Sequence, residues 1–143
     1  MLLSKAHGAL FCCLNLAISC CPAGELTCPA SITSSEAITA QVSGWEAVST
    51  PQVHELENAQ VYDGHPNDTA SLVPDKSSSR GHVHQATWLL AAERERDTWV
   101  GCSYKNSSLL LAQKVPPHAR RCVLTYQRKG KSRPGELTGV ECR

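Results

Sequence analysis

Apolar and polar residues alternate along the second half of the chain with the period of two that is typical of β-strands. The longest such run covers residues 82–92, where His84 and Trp88 fall on one face and Gln85 and Thr87 on the other. Four further runs follow, at residues 98–104, 108–114, 121–128 and 136–142. Short turns rich in Gly, Pro and Asn separate the runs, which predicts an all-β, antiparallel fold arranged as a meander or a sandwich.

The first half of the chain carries a weaker strand signal. Residues 24–32 are predicted to form a short strand at a sheet edge, residues 44–48 the start of another strand, and residues 56–62 a third that ends at an Asp-Gly turn. Residues 33–41 fit either a strand or a helical turn. The Ala-rich and charged end of the 82–92 run allows one short helix.

The N-terminus has the three-part layout of a secretory signal peptide. Lys5 precedes an apolar run at residues 9–18, and small residues follow. The apolar run is too short to span a bilayer, so no transmembrane segment is predicted. We expect cleavage after Ala23, which removes residues 1–23 as the signal peptide and leaves residues 24–143 as one exported, β-rich domain.

Export places the mature chain in the periplasm or outside the cell. The alternative is a lipid anchor on Cys20 or Cys21, which would hold the protein at a membrane. The Leu that usually stands three residues before a lipidated cysteine is missing here. A soluble periplasmic or secreted protein is therefore the preferred interpretation.

The cysteines predict two disulfides in the mature domain. Of eight cysteines, four leave with the signal peptide and an even number remains. Those that remain are Cys28, Cys102, Cys122 and Cys142.

Strand geometry favours one pairing of these cysteines. A hairpin formed by residues 121–126 and 137–142 would bring apolar residues together on one face. Its register gives three opposed pairs, Cys122 with Cys142, Leu124 with Val140 and Tyr126 with Thr138. Cys28 then pairs with Cys102 and ties the mature N-terminus to a central strand. A Cys102 to Cys122 bond stays open as the alternative, since it needs only that their two strands be neighbours.

The charges are divided along the chain although they nearly cancel in total. Residues 24–97 hold eleven acidic and four basic residues, whereas residues 98–134 hold eight basic residues and no acid. Such a split can hold one half against the other within the fold, or it can present a basic face to an acidic partner. A solvated surface without function is the third interpretation.

A metal site is the first chemical function to test. His82 and His84 share one strand face, and His54, His65 or Asp63 could supply a third ligand. Exposed histidines are common where a loop meets a strand, and no second dense cluster exists. We therefore predict no metal site and no cofactor.

Catalysis and nucleic-acid binding find little support in the sequence. There is no Gly-x-Ser-x-Gly motif, the mature cysteines are expected to be oxidised, and no Cys-x-x-Cys pair exists after the signal peptide. The basic residues have few aromatic neighbours, and export separates the protein from nucleic acid. No catalytic residue and no nucleic-acid partner are predicted.

Three surface regions are candidates for contact with a protein partner or an envelope component. The first is the turn that follows the 56–62 strand, the second is a predicted solvated loop at residues 74–81, and the third is the basic turn after residue 127. The candidate residues are Asp63, His65 and Asp68 in the first, Lys76 and Arg80 in the second, and Arg128, Lys129, Lys131 and Arg133 in the third.

An ordered set of short motifs covers nearly all of the mature chain. It comprises TCPASI, GWE, AxxYDGxP, SLVPDK, TWxL, WVGCSY, LxxxVP and RCVLTY. In these motifs the chain resembles a family of small exported proteobacterial proteins that are often encoded beside type VI secretion clusters. The resemblance implies a periplasmic location and a role as an immunity or accessory protein in interbacterial toxin systems. It carries over no catalytic residue.

The sequence therefore predicts a non-enzymatic periplasmic protein-binding domain that neutralises a delivered type VI toxin. A rigid domain cross-linked by disulfides suits that task, because preordered loops lower the entropic cost of association. An envelope structural or polymer-binding protein is the first alternative. A hydrolase without a recognisable motif is the second.

Overall fold

The structure, a computed structural model, describes residues 26–128 and 135–143. The predicted signal peptide and the alternative lipid sites at Cys20 and Cys21 lie outside these residues. The described strands are β1 (Ser31–Ser34), β2 (Gln52–Asp63), β3 (Lys76–Arg80), β4 (Val83–Leu89), β5 (Thr98–Tyr104), β6 (Leu110–Lys114), β7 (Arg121–Gln127) and β8 (Glu136–Cys142). One three-residue 3-10 helix, η1 (Pro66–Asp68), lies in the predicted turn after β2. The all-β prediction is confirmed.

The strands form two antiparallel sheets between which the chain alternates. The first sheet has the order β1-β2-β5-β6 and the second the order β3-β4-β7-β8. Each sheet is thus built from two hairpins that are separated in sequence by a hairpin of the other sheet. The sandwich-type arrangement is therefore present, and the meander, which would pair β4 with β5, is not.

The long strand β2 changes partner and phase along its length. Its first residues pair with β1 and the rest with β5, and the register with β5 slips by one residue between Leu56 and Asn58. Successive side chains on a strand point to opposite faces, so one extra residue moves every later side chain to the face opposite the one it would otherwise occupy. Before this bulge His54 is buried, and after it Ala59 and Val61 are buried.

A single hydrophobic cluster lies between the sheets in the described part of the chain. Both sheets contribute to it, together with the loop before β7 and the segment before β1. The largest of its fully buried side chains are Val61, Val100, Tyr104, Val115, Cys122 and Leu124. The Tyr104 hydroxyl donates to the Pro29 carbonyl at 3.0 Å, so the phenol inside this cluster has a polar partner.

The hairpin of β7 and β8 follows the predicted register for half its length. Cys122 opposes Cys142 and Leu124 opposes Val140. The prediction that Tyr126 opposes Thr138 is wrong, because the register slips after Thr125 and Tyr126 opposes Leu137. The slip leaves Thr138 unopposed and exposed, and it lets Leu137 join the buried face that Val140 already occupies.

Both predicted disulfides are present. Cys122 and Cys142 join neighbouring strands of the second sheet with Cα atoms 4.1 Å apart. Cys28 and Cys102 tie the segment before β1 to β5, with Cα atoms 5.8 Å apart. The alternative bond between Cys102 and Cys122 would link strands that belong to different sheets.

Three further local predictions are wrong in whole or in part. The strand predicted at residues 24–32 is misplaced, because the described residues 26–30 form no strand and β1 begins at Ser31, although it lies at a sheet edge as predicted. Residues 74–81 are not a loop, because β3 occupies Lys76–Arg80 as the edge strand beside β4. All five of its side chains are exposed, so backbone hydrogen bonds to β4 and not a buried face hold it in the sheet. Residues 44–48 do not start a strand: Gly44 has φ +79°, and the Trp45 amide donates to the Val42 carbonyl in a turn.

The helical alternatives are not realised in the described residues. Residues 35–51 contain no helix, and the run from residue 82 ends as a strand at Leu89. No helix in the described ranges is long and apolar enough to cross a membrane.

The two disulfides should contribute unequally to stability, because they close loops of different length. They span 74 and 20 residues. The loop-entropy model then predicts that Cys28→Ser/Cys102→Ser lowers the free energy of unfolding by about 4 kcal/mol and Cys122→Ser/Cys142→Ser by about 3 kcal/mol. Urea unfolding of both variants tests the order, and a larger loss for the second pair would contradict it.

Candidate partner-binding site

A groove of about 600 Å³ opens between the two sheets. Strands β2 and β5 supply one wall, strands β3, β4 and β7 supply the other, and Pro74 and Gly135 complete it. Half-buried Tyr126 brings aromatic surface to the second wall, and the buried ring of Trp88 lies behind it. A concave site with apolar surface and a few polar groups is the usual form of a binding pocket.

Hydrogen bonds hold the two walls of the groove together. The Tyr126 hydroxyl donates to Asn58 Oδ1 across the sheets at 3.0 Å. The Leu72 carbonyl accepts from Gln60 Nε2 at 2.6 Å and from Trp88 Nε1 at 2.9 Å, so one carbonyl joins β2 to β4. These bonds cross between the sheets and set the separation of the walls.

The groove contains polar side chains on both walls. His84 Nδ1 lies 3.0 Å from Ser79 Oγ, and its ring centre lies 6.1 Å from that of Tyr126. Glu57 lines the wall of the first sheet and Arg128 that of the second, so the described lining of the groove carries one charge of each sign. Neither charged group forms an ion pair within the described ranges.

Burial raises the pKa of two phenols above the ordinary value of 10.0. Desolvation disfavours the phenolate of Tyr126 in the groove and that of Tyr104 in the core. Both side chains are therefore neutral hydrogen-bond donors at physiological pH.

Of the predicted basic contact residues, Arg128 lies in the groove and two others do not. Ser77 and Ser79 of β3 face the groove side, opposite Ala86 and His84. Side chains alternate along a strand, so Lys76 and Arg80 project from the other face of the second sheet. Lys129, Lys131 and Arg133 lie outside the described residues, and their role stays a prediction.

The predicted turn at Asp63, His65 and Asp68 is held by contacts within the protein. Arg96 forms ion pairs with Asp63, at 3.8 Å, and with Asp68. The ring of His65 meets the ring of Trp99 edge-on, with centres 4.8 Å apart. The turn is thereby fixed to the loop and strand that begin the second hairpin of the first sheet, although its carboxylates stay about half exposed.

Most described cations have partners within the protein. Arg94 donates to the carbonyls of Ala119 and Pro117, both at 3.0 Å, and so fixes the loop before β7. The other cations with partners are Arg96, Lys105, Lys114, Arg120 and Arg143. Among the described residues, those without a side-chain partner are Lys76, Arg80, Arg121 and Arg128.

Among the described residues, two ion pairs join the acidic and basic halves of the chain. Lys105 Nζ lies 2.8 Å from Glu55, and Lys114 Nζ lies 2.7 Å from Asp97. The hydrogen bond to Lys105 lowers the pKa of Glu55, and the same bond raises the pKa of Lys105. The uneven charge distribution therefore serves in part to hold one half against the other.

The histidines considered as metal ligands do not converge. His54 is buried, with Nε2 3.0 Å from Ser34 Oγ and Nδ1 3.0 Å from the Lys105 carbonyl, so both ring nitrogens are engaged. Within the described ranges, no three or more His, Cys, Asp or Glu side chains form a group that could hold a metal ion.

Sequence reasoning missed the groove itself. The alternation in β4 places His84 and Trp88 on one face, but nothing in the sequence indicates that Asn58 lies opposite Tyr126, 68 residues away. It also missed the exposed apolar side chains between β1 and β2, whose only signal is a set of large apolar residues without a strand or helix period.

Removing the hydroxyl that crosses the groove tests the link between the sheets. Tyr126→Phe keeps the ring and should lower the free energy of unfolding by about 1 kcal/mol near pH 7. The folded pKa of Tyr126 is raised, so its contribution is complete below the unfolded pKa of about 10 and is lost as the pH rises through the folded value. The free energy of unfolding should therefore fall less between neutral pH and pH above 10 in the variant than in the wild type.

Urea unfolding at neutral and alkaline pH measures both effects of Tyr126→Phe. Tyr62→Phe is the matched control, because the Tyr62 hydroxyl has no hydrogen-bond partner among the described residues. Equal losses in the two variants would show that the bond to Asn58 does not hold the sheets together.

Comparison with known proteins assigns the family. A family model described as the type VI secretion system Tli immunity protein matches residues 50–143. No curated protein and no solved structure matches the chain. The matched range begins just before β2 and contains every described strand except β1. The chain therefore belongs to the type VI secretion system Tli immunity protein family.

Proposed function

We propose that the protein neutralises its toxin by stoichiometric, non-catalytic binding in the periplasm, and that the groove between the sheets is the main contact site. Family membership makes the partner a type VI secretion toxin. The observation that carries the proposal is a preformed groove with aromatic surface and an arginine without a partner among the described residues. Aromatic residues and arginine are the side chains that most often dominate the energy of protein interfaces.

The groove is suited to a tight complex because little of it has to be ordered on binding. One disulfide joins β7 to β8 within the second sheet, and the other ties the N-terminal segment to β5 of the first sheet. The bonds from Tyr126 to Asn58 and from Trp88 to Leu72 hold the walls in place. A preordered site loses less conformational entropy when the partner docks.

The charges in the groove indicate what kind of toxin segment fits it. Glu57 and Arg128 stand on opposite walls and have no ion-pair partners in the described ranges. A loop that carries one basic and one acidic side chain would pair with both. Such complementary pairs add specificity and register more than raw affinity.

The polymer-binding alternative receives no support from the placement of the cations. Of the four described cations without side-chain partners, Arg128 lies in the groove, and the other three project from the outer face of the second sheet. On that face Lys76 and Arg80 lie at the two ends of β3, and Arg121 lies two strands away at the start of β7. An anionic polymer requires a continuous basic track.

Titration of toxin activity tests stoichiometric binding. The cognate toxin is defined as the type VI toxin whose killing the chain prevents on co-expression. Its activity should fall in proportion to added protein and reach zero at a fixed molar ratio. Arg128→Glu leaves an acidic side chain on each wall of the groove and should weaken toxin binding by about 10-fold or more.

Arg121→Glu is the matched control for the groove. Arg121 begins β7, the strand that ends just before Arg128. It is exposed and has no side-chain partner among the described residues. Its variant should bind as tightly as the wild type. Inactivation of the toxin at far below one equivalent would contradict a non-enzymatic role, and equal binding by both variants would contradict the groove.

Two features support the periplasmic location. The N-terminal sequence has the layout of a signal peptide, and disulfides form and persist in oxidising compartments. A chain that lacks residues 1–23 should stay reduced, accept thiol-alkylating reagents at all four remaining cysteines, and fail to protect against a toxin delivered to the periplasm. Full protection by this leaderless chain would contradict the location.

A further inference from the structure

The connection between β1 and β2 exposes an unusual amount of apolar surface. The exposed segment, residues 35–51, contains no strand or helix, and every one of its side chains is exposed. Trp45 is 82% exposed, and Ile38 and Val42 are each 56% exposed. Single exposed apolar residues are ordinary on protein surfaces, but a group that includes a tryptophan marks an interaction site.

These side chains form a concave surface. Ile38, Val42 and Trp45 line a hollow of about 420 Å³ together with Glu46 and Ala47. A turn closed by the bond from the Trp45 amide to the Val42 carbonyl, at 3.1 Å, brings the apolar residues together. The positive φ of Gly44 suits this turn, since glycine adopts that conformation at little cost. The hollow can receive one large apolar side chain of a partner.

The charge around the hollow indicates the chemistry of that partner. The exposed segment carries Glu36 and Glu46, and no lysine or arginine occurs anywhere in residues 26–75. Neither carboxylate has an ion-pair or hydrogen-bond partner among the described residues. A surface that presents an apolar side chain flanked by lysine or arginine is the complement of this segment.

The family match gives the segment a distinct position. The matched range begins at residue 50, so the residues that line the hollow precede it. The groove lies within the matched range. The family model therefore covers the groove and not the hollow.

We propose that the exposed segment is a second contact with the toxin, in which an apolar side chain of a basic toxin surface inserts beside Trp45 and helps to determine which toxin is bound. This inference rests on the proposed function, because it takes the toxin as the partner. A tryptophan in a desolvated interface pocket commonly contributes most strongly to affinity. The groove holds the toxin, and the segment discriminates between toxins.

Substitution of Trp45 tests the contact. Trp45→Ala should weaken the affinity for the purified cognate toxin by about 30-fold, the loss typical of an interface hot spot. Leu109→Ala is the matched control, since Leu109 is 48% exposed but lies outside both the segment and the groove, and it should leave the affinity unchanged. Because Trp45 is exposed, its variant should unfold at the same urea concentration as the wild type.

Tryptophan fluorescence gives a second readout. Trp88 is buried, whereas Trp45 is the most exposed of the three tryptophans, so a blue shift of the emission on toxin binding should come mainly from Trp45. Trp45→Phe keeps an aromatic side chain and should retain most of the affinity while losing the shift. A wild-type complex without any shift would contradict insertion beside Trp45.

Charge reversal tests the basic character of the toxin surface. Glu46→Lys should slow association and weaken binding by about 10-fold at low salt, with a smaller effect at high salt. Glu93→Lys, an exposed reversal in the loop between β4 and β5, is the control and should have little effect. Tighter binding of Glu46→Lys would overturn the assignment of a basic partner surface.

The outcomes separate this inference from the proposed function. Wild-type affinity of Trp45→Ala together with weak binding of Arg128→Glu would overturn the second contact and leave the groove standing. The reverse result would retain the segment and overturn the groove. If Trp45→Ala abolishes self-association in sedimentation experiments without changing toxin affinity, the occupant is a second copy of the chain and the inference is wrong. A wild-type chain that binds no toxin overturns both.

Discussion

The extra residue in β2 is the constraint on which the arrangement of the core and the groove depends. Before the bulge at Glu57 the buried side chain is His54, and after it the buried positions are Ala59 and Val61. Without the slip, Asn58 and Gln60 would take the buried positions, at the cost of placing amides in a hydrophobic core. With it, both amides reach the groove, where one accepts from Tyr126 and the other donates to the Leu72 carbonyl.

Local patterning predicts the strands of this fold well but predicts their irregularities and partners poorly. The period of two identifies β4, β5 and β8, and opposed apolar pairs give the start of the last hairpin and both disulfides. The slip at Thr138 escapes prediction because it is stabilised by the burial of Leu137. That burial depends on residues far away in the sequence, which the local pattern of the hairpin does not include. Strand β3 escapes because an edge strand needs only backbone partners, so its serines carry no apolar signal.

The same reasoning explains why the candidate site was only partly predictable. Sequence identifies charged turns, but whether a charge is available depends on its neighbours in the fold. Asp63 and Asp68 are engaged by Arg96, whereas Arg128 reaches the groove without a partner among the described residues. Alternation along β3 turns Lys76 and Arg80 away from that groove, which no count of basic residues could indicate.

The two proposed contacts differ in how far they depend on the fold. The groove is built from residues that also stabilise the protein, whereas the exposed segment can affect the choice of toxin without affecting stability. Substitutions in the groove disturb hydrogen bonds that join the sheets, since Tyr126, Asn58 and Trp88 serve the fold as well as the surface. Substitutions at Trp45 or Val42 leave the hydrophobic cluster between the sheets unchanged, because neither side chain belongs to it. The segment can therefore change its apolar surface without loss of folding free energy, whereas the groove cannot. A surface that discriminates between toxins can be altered most freely in the part of the molecule on which the fold does not depend.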